Sequence, residues 1–156
     1  DEQRAVYQIV EEARLTAIAS IKPGATITDV HDAASRVLAQ GLLDLGVLHG
    51  DKDSVLDEGS YRDFFPHQTS HWLGLDVHDP GDYGRDGSGR ILEPGMVFTI
   101  EPGLYFRLGQ CGNNTDRWAG IGVRIEDDVV VTAEGVEVLT GVLPTSVDEV
   151  EEAVGR

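Results

Sequence analysis

The fold is decided by the stretch Phe65-Pro66-His67-Gln68-Thr69-Ser70-His71-Trp72-Leu73-Gly74-Leu75-Asp76-Val77-His78-Asp79. Three of the five histidines in the chain lie in it, at positions 67, 71 and 78. A lone histidine is more often structural than functional, but three so close together, with Asp76 and Asp79 beside them, favour a chemical role. Each imidazole can bind a metal ion or transfer a proton near neutral pH. We therefore place the candidate site in this stretch.

The same stretch is not predicted to form one continuous helix. Pro66 and Gly74 both disfavour a helix, and Gln68 stands where a zinc-protease helix of the His-Glu-x-x-His type carries its glutamate base. The alternation of residue types instead predicts a strand, a bend and a second strand. It places Trp72, Asp76 and His78 on one face and Leu73, Leu75 and Val77 on the other.

A first candidate carboxylate, Glu101, follows the apolar run 97–100, which is predicted to be a short strand. A carboxylate that is buried without a partner costs several kcal/mol, so Glu101 needs a cation or hydrogen-bond donors. It could cap the following turn, pair with an arginine or bind a metal ion. The local sequence leaves these alternatives open.

A second candidate carboxylate, Glu126, lies in the segment Gly122-Val123-Arg124-Ile125-Glu126-Asp127-Asp128. The two-residue period of a strand places Arg124 and Glu126 on one face. This pattern fits a cross-strand ion pair, worth about 0–1 kcal/mol if exposed. It also fits a metal-binding carboxylate beside an arginine that orients it. Oxygen ligands combined with a single imidazole suit Mn²⁺ or a similar cation.

Patterns elsewhere predict two helices, then an antiparallel sheet, then a small helix. Apolar residues at three- and four-residue spacing predict a helix over residues 3–21 and a second helix that is capped by Thr28 or Asp29 and closed by Gly46. Residues 49–63 are predicted to form a loop or a short helix. The further elements are a loop over 81–89, strands over 97–100, 120–131 and 136–139, and a helix over 146–154. This order is typical of the α+β class.

The charge balance narrows the range of partners. The 156 residues include 28 acidic and 12 basic side chains, for a formal net charge of −16. Such a surface repels nucleic acids and anionic membranes, and no apolar run approaches the roughly 20 residues of a membrane helix. Cys111, the single cysteine, cannot form an internal disulfide and is interpreted as incidental to the site. The cytoplasm is therefore the expected location.

Four blocks of the sequence together resemble aminopeptidase P, of the creatinase/methionine-aminopeptidase superfamily. They span residues 70–79, 93–97, 99–105 and 122–128, and their order and spacing both fit. The resemblance implies an α+β chain that forms the C-terminal half of a "pita-bread" fold. That half has two N-terminal helices, a mostly antiparallel curved sheet and a short C-terminal helix. Residues 1–156 are thus expected to be the C-terminal part of a metallopeptidase catalytic domain.

The resemblance also implies roles for the site residues. It places metal ligands at His71, Glu101 and Glu126, with Glu126 bridging two divalent metal ions. Mn²⁺ is the expected metal, and Zn²⁺ or Co²⁺ are alternatives. A metal-bridging water would be the nucleophile, with Glu101 as its general base. The other implied catalytic residues are His67 and His78, which would hold the substrate and stabilise the intermediate, and Arg124, which would hydrogen-bond near the bridging carboxylate.

The resemblance implies two further aspartate ligands, which we do not assign within the chain. Asp116 and Asp127 have the expected eleven-residue offset, but their surroundings do not match the family pattern. The aspartate pair is expected upstream of residue 1. The chain, which opens on charged residues and lacks an initiator Met, is accordingly expected to be a fragment. A natural half-protein that binds a partner is the alternative.

The implied activity is removal of the N-terminal residue from peptides with proline in second position. Two alternatives share the scaffold: a prolidase-type dipeptidase and a non-catalytic binding module. The expected partners are the peptide substrate and either a second copy, in a homo-oligomer, or the N-terminal half of the fold. Nucleic acids and membranes are not expected partners.

Overall fold

The computed structural model describes residues 1–85, 88–109 and 116–155. Its helices are α1 (Glu2–Ser20), α2 (Ile27–Asp44), α3 (Lys52–Glu58) and α4 (Val147–Val154), and short 3₁₀ turns span Ser60–Asp63 and Asp116–Trp118. Its strands are β1 (Gly84–Arg85), β2 (Ser88–Gly89), β3 (Val97–Ile100), β4 (Gly103–Tyr105), β5 (Gly122–Arg124), β6 (Asp127–Val131) and β7 (Val136–Val138). Cys111 and the side chain of Asp116 lie outside the described residues. The order of elements confirms the α+β class.

The helices α1 and α2 pack against each other and supply one half of the core. Gly41 of α2 faces Ile9 of α1 so closely that a Cβ atom at position 41 would collide with the isoleucine side chain. The two helices also bury apolar stripes at three- and four-residue spacing, as predicted. The fully buried members are Val6, Val10, Ala13 and Ala17 of α1 and Val30, Ala34, Leu38 and Leu42 of α2. Within the described residues, no helix has the length and apolar character needed to cross a bilayer.

The predicted cap of α2 is wrong by two or three positions. The N-cap residue is Thr26, and Asp29 is the third residue of the helix rather than its cap. The Asp29 amide donates to the Thr26 hydroxyl at 3.1 Å, and the Asp29 carboxylate accepts from the Thr26 amide at 2.7 Å. This reciprocal capping box satisfies two backbone amides at once. The Thr26 amide also lowers the pKa of Asp29.

The strands form three small antiparallel sheets. Strand β6 lies between β3 and β7, β4 pairs with β5, and β1 pairs with β2. The predicted continuous strand over 120–131 is wrong, because it is divided at Ile125 and Glu126 into β5 and β6. The two halves pair with different strands, so the chain leaves one sheet and enters the other at this point. Glu126 lies at this junction rather than within a strand.

The histidine stretch forms its first predicted strand only in part, and its second strand is absent. Residues 69–73 run antiparallel to β3, with hydrogen bonds from the Glu101 amide to the Thr69 carbonyl at 2.8 Å and from the Thr99 amide to the His71 carbonyl at 3.0 Å. Residues 74–78 are a series of bends. The Asp79 amide donates back to the Trp72 carbonyl at 3.1 Å, which closes the bends into a loop. The predicted alternation of faces therefore ends at residue 73.

A buried ion pair joins the helical layer to the sheet next to Glu126. Arg14 of α1 and Asp127 of β6 contact each other directly, and their side chains are 7% and 1% exposed. Asp127 also accepts from the Thr140 hydroxyl at 2.5 Å. Both oxygens of the Asp127 carboxylate therefore have partners.

Candidate metal centre

Three separate segments bring one imidazole and two carboxylates together. His71 comes from the segment beside β3, Glu101 follows the end of β3, and Glu126 lies at the β5–β6 junction. Nε2 of His71 lies 3.2 Å from Oε1 of Glu101 and 3.9 Å from Oε1 of Glu126. One donor atom from each residue lies within 4.8 Å of the other two. The structure thus brings together the three residues that the sequence predicted as metal ligands.

The ring of His71 is oriented by its own backbone neighbour. Nδ1 lies 3.1 Å from the Trp72 carbonyl oxygen. A carbonyl can only accept, so Nδ1 carries a proton, and Nε2 is the ring nitrogen that faces the two carboxylates. A second-sphere hydrogen bond of this kind fixes the tautomer of metal-binding histidines.

Both oxygens of Glu101 have defined partners. The Thr99 hydroxyl lies 3.2 Å from Oε1, and NH1 of Arg124 lies 3.3 Å from Oε2. Glu101 therefore pairs with an arginine, which was one of the predicted alternatives, and it also belongs to the cluster. Because Glu101 is only 10% exposed at its side chain, these donors offset the cost of its burial.

The electrostatics of Glu126 favour a cation at the cluster. Partial burial and then the negative charge of Glu101 raise the pKa of Glu126, and the nearby His71 and Arg124 oppose this rise. Two carboxylates that face the same imidazole nitrogen repel one another unless a cation or a proton lies between them. A divalent cation would relieve that repulsion.

The donor set and its spacing also fit a metal ion. Donor atoms about 2.1 Å from a shared ion lie at most about 4.2 Å apart, and both distances from His71, 3.2 and 3.9 Å, are within that limit. One imidazole nitrogen and two carboxylates suit Mn²⁺, Zn²⁺ or Co²⁺ rather than a cation that prefers thiolates. The side chain of Glu126 is 43% exposed, which leaves that side of the cluster open.

Tyr105 connects two of the predicted catalytic residues and was not predicted itself. Its hydroxyl lies 2.9 Å from Nε2 of His67 and 2.7 Å from Nε of Arg124. Nδ1 of His67 donates to the Gln68 carbonyl at 2.8 Å, so Nε2 accepts the Tyr105 proton and the phenol oxygen accepts from Arg124. This bond raises the pKa of Arg124. Tyr105 lies in β4 and Glu101 follows β3, so no strand period connects them and no local sequence signal points to Tyr105.

Arg124 and His78, two more of the predicted catalytic residues, both lie beside the cluster. Arg124 was expected to bond near Glu126, but its ion pair is with Glu101 at 3.3 Å. His78 lies in the exposed bend, and its ring centroid is 4.4 Å from that of His71. It is thus beside the cluster and accessible from solvent. The roles of both residues in the reaction stay predictions.

His31 of α2 hydrogen-bonds to the histidine stretch. It was not predicted as part of the site. The Thr69 amide donates to Nδ1 of His31 at 3.2 Å, and the His31 ring stacks on Phe65 with centroids 5.5 Å apart. Burial lowers the pKa of His31, the negative charge of Asp32 opposes this fall, and the nearby Arg62 and His67 add smaller effects that lower the pKa further. A histidine alone in an amphipathic helix gives no sequence signal for this contact.

Comparison with known proteins identifies the family. The family model described as metallopeptidase family M24 matches residues 1–133. That match covers most of the chain, including His71, Glu101 and Glu126. The chain belongs to metallopeptidase family M24.

Relatives and solved structures that are similar to this chain carry related names. A Xaa-Pro aminopeptidase of Haemophilus influenzae is 44% identical over 149 residues, which are 96% of this chain and 34% of that protein. The aminopeptidase PepP of Pseudomonas aeruginosa superimposes with a TM-score of 0.90 at 48% identity, over 97% of this chain and 34% of the other. Aminopeptidase P of Escherichia coli, solved with the inhibitor Pro-Leu, gives 0.91 at 45% identity and the same coverage. The predicted pita-bread fold is confirmed, and the chain spans about a third of the length of these relatives.

Proposed function

We propose that residues 1–156 are the C-terminal part of the catalytic domain of a metal-dependent aminopeptidase that removes the first residue from peptides with proline second. The observation that carries the proposal is the cluster of His71, Glu101 and Glu126, in which three distant segments converge on one point. The names of the relatives support the substrate class. Because these relatives are about three times as long as this chain, we assign the activity to the full-length protein.

The three residues of the cluster would bind the metal ions, and one of them would also accept a proton. His71, Glu101 and Glu126 would hold two divalent cations, preferentially Mn²⁺. When bound, such cations act as Lewis acids and make water a nucleophile near neutral pH. Glu101 would accept a proton from the attacking water, since its Oε1 faces the cluster.

The basic residues around the cluster would orient Glu101 and bind the substrate. Arg124 would hold Glu101 by the ion pair to Oε2 and would also keep the Tyr105 phenol in place. His67, at the far end of that hydrogen-bond chain, and the exposed His78 would bind the peptide and stabilise charge that develops on its carbonyl oxygen. The acidic balance of the chain supports cation binding, and the single cysteine supports a reducing, cytoplasmic location.

The test is hydrolysis by the full-length protein after its metal has been removed by chelation and restored. We expect no release of the first residue from a proline-second tripeptide without metal, and recovery with Mn²⁺ above Zn²⁺ or Co²⁺. Faster cleavage of the matching dipeptide than of the tripeptide would instead indicate a prolidase-type dipeptidase. A protein that binds Mn²⁺ but cleaves neither substrate would be a binding module.

The domain assignment has a separate test. We expect that residues 1–156 expressed alone hold less Mn²⁺ per chain than the full-length protein, because the aspartates implied by the family resemblance would be absent. Equal metal content in both proteins would contradict the proposal that the site is shared with an upstream segment.

A further inference from the structure

The hydroxyl of Thr99 joins two of the candidate metal ligands. Thr99 lies in β3, two residues before Glu101, and pairs across the backbone ladder with His71. Side chains two residues apart on a strand share a face, so the Thr99 hydroxyl and the Glu101 carboxylate lie on the same side. Thr99 is 2% exposed, and it is the polar member of a strand whose other residues are Val97, Phe98 and Ile100.

The direction of each hydrogen bond around Thr99 is fixed by chemistry. The His71 amide lies 3.1 Å from Oγ1 of Thr99 and can only donate, so the hydroxyl oxygen accepts. The hydroxyl proton then goes to Oε1 of Glu101, at 3.2 Å, which as a carboxylate oxygen can only accept. One hydroxyl thereby ties the backbone of the imidazole ligand to the side chain of a carboxylate ligand.

The same bond determines which way the Glu101 carboxylate faces. Arg124 holds Oε2 from the solvent side at 3.3 Å, and Thr99 holds Oε1 from the buried side. With both oxygens held, the carboxylate plane cannot rotate freely, and Oε1 stays 3.2 Å from Nε2 of His71. A valine would suit the strand and the burial equally well, but it would release Oε1 and leave the His71 amide without an acceptor.

We propose that Thr99 is a positioning residue of the metal centre, whose hydroxyl sets the orientation of Glu101 relative to His71. The proposal rests on the metal-binding function proposed above. It extends that function to a residue that would touch neither metal nor substrate. Partners of this kind typically change metal affinity by about 10- to 100-fold when they are removed.

The experiment compares Mn²⁺ binding by calorimetry in the metal-depleted full-length protein and in the variants Thr99→Val and Thr99→Ser. We expect Thr99→Val to weaken Mn²⁺ binding by about 10- to 100-fold and Thr99→Ser, which keeps the hydroxyl, to bind nearly as the unsubstituted protein does. Thr132→Val is the matched control. Its hydroxyl also accepts from a backbone amide, that of Gly135 at 3.1 Å, but in the turn between β6 and β7, away from the cluster.

Thermal unfolding of the metal-free proteins separates positioning from stability. A merely structural threonine would lower the unfolding temperature of Thr99→Val and leave its Mn²⁺ affinity unchanged, and that result would overturn the proposal. If Thr99→Val does not fold, Thr99→Cys serves in its place, since a thiol fills the site but hydrogen-bonds only weakly. Unchanged affinity in folded Thr99→Cys would count against the proposal in the same way.

The two proposals fail differently. If the unsubstituted protein binds no Mn²⁺, Zn²⁺ or Co²⁺, the metal function itself is wrong. If it binds Mn²⁺ and both Thr99→Val and Thr99→Cys bind it equally well, the function stands and the role of Thr99 is wrong.

Discussion

The Tyr105 hydroxyl donates to Nε2 of His67 across 2.9 Å, although the two residues belong to different segments of the chain. Since the same oxygen accepts from Arg124 at 2.7 Å, the arginine, the phenol and the imidazole form one directed chain of hydrogen bonds. The chain ends at the Gln68 carbonyl, which accepts from Nδ1 of His67 at 2.8 Å. The tautomer of His67 is thus determined by groups that cannot reverse their roles.

Replacement of Tyr105 by phenylalanine should break this chain while preserving the packing. We expect turnover on a proline-second peptide to fall by about 10- to 100-fold, because a hydrogen bond to a charged group contributes about 1.5–3 kcal/mol. The measurement is steady-state kinetics with saturating Mn²⁺. Tyr7→Phe is the control, because the Tyr7 hydroxyl bonds to the Thr145 carbonyl at 2.7 Å, away from the cluster. Equal activity of both variants would show that the function of His67 does not depend on its hydrogen bond to Tyr105.

Substitution of Glu101 by glutamine should remove metal binding with little change in shape. Glutamine keeps the size of the side chain but loses the charge that attracts a cation. We expect Mn²⁺ affinity to fall by more than about 100-fold, beyond the range seen for residues outside the first coordination shell.

Glu93→Gln is the matched control for that substitution. Glu93 is an exposed carboxylate paired with Arg90 at 3.0 Å, so its loss should leave affinity unchanged. Metal content measured by atomic emission on the purified proteins checks the result. Full occupancy in Glu101→Gln would exclude Glu101 as a ligand.

The buried ion pair between Arg14 and Asp127 should be far more sensitive than the exposed ion pairs of Arg4. Arg14→Met leaves a carboxylate that is 1% exposed without its cation, which typically costs about 3–5 kcal/mol. Arg4→Met removes contacts to Asp148 and Glu151 on a half-exposed surface and should cost no more than about 1 kcal/mol. Urea unfolding followed by circular dichroism gives both free energies of unfolding. Similar losses in the two variants would contradict the burial seen for Asp127.

The dependence of the free energy of unfolding on pH should reflect the lowered pKa of His31. Burial lowers its pKa in the folded protein, so below about pH 6.5 the unfolded chain takes up a proton that the folded protein resists. The free energy of unfolding should therefore fall as the pH drops from about 6.5 towards the folded-state pKa, by at most about 1.4 kcal/mol per pH unit. His31→Gln should flatten this slope, whereas His49→Gln, at an exposed position, is the control. An unchanged slope in His31→Gln would show that another group causes the pH dependence.

The sequence predicted best what depends on short-range periodicity. The apolar spacing of α1, the apolar run of β3 and the terminal helix α4 are each visible within one segment, and their boundaries agree with the structure to within about two residues. The three residues of the cluster were predicted by resemblance, since no periodicity could show that His71 and Glu126 meet.

The wrong predictions of strands share one physical cause. Whether residues 120–131 form one strand or two depends on which strands lie beside them, and that information is not local. The loop after residue 73 is likewise held by contacts across the bend, where the Asp79 side chain fills the space that a Cβ atom at Gly74 would occupy. The contacts of His31 and Tyr105 also depend on the tertiary fold, which explains why neither was predicted as part of the site.

The pairing of residues 69–73 with β3 has a kinetic consequence. Segments that are distant along the chain meet slowly, because the loop between them must close before any contact forms. The amides of Thr99 and Glu101 donate to the His71 and Thr69 carbonyls, so they become protected from hydrogen exchange only when the histidine segment docks. Pulse-labelling of these two amides during refolding would therefore time the docking of His71 beside Glu101, independently of any metal or substrate.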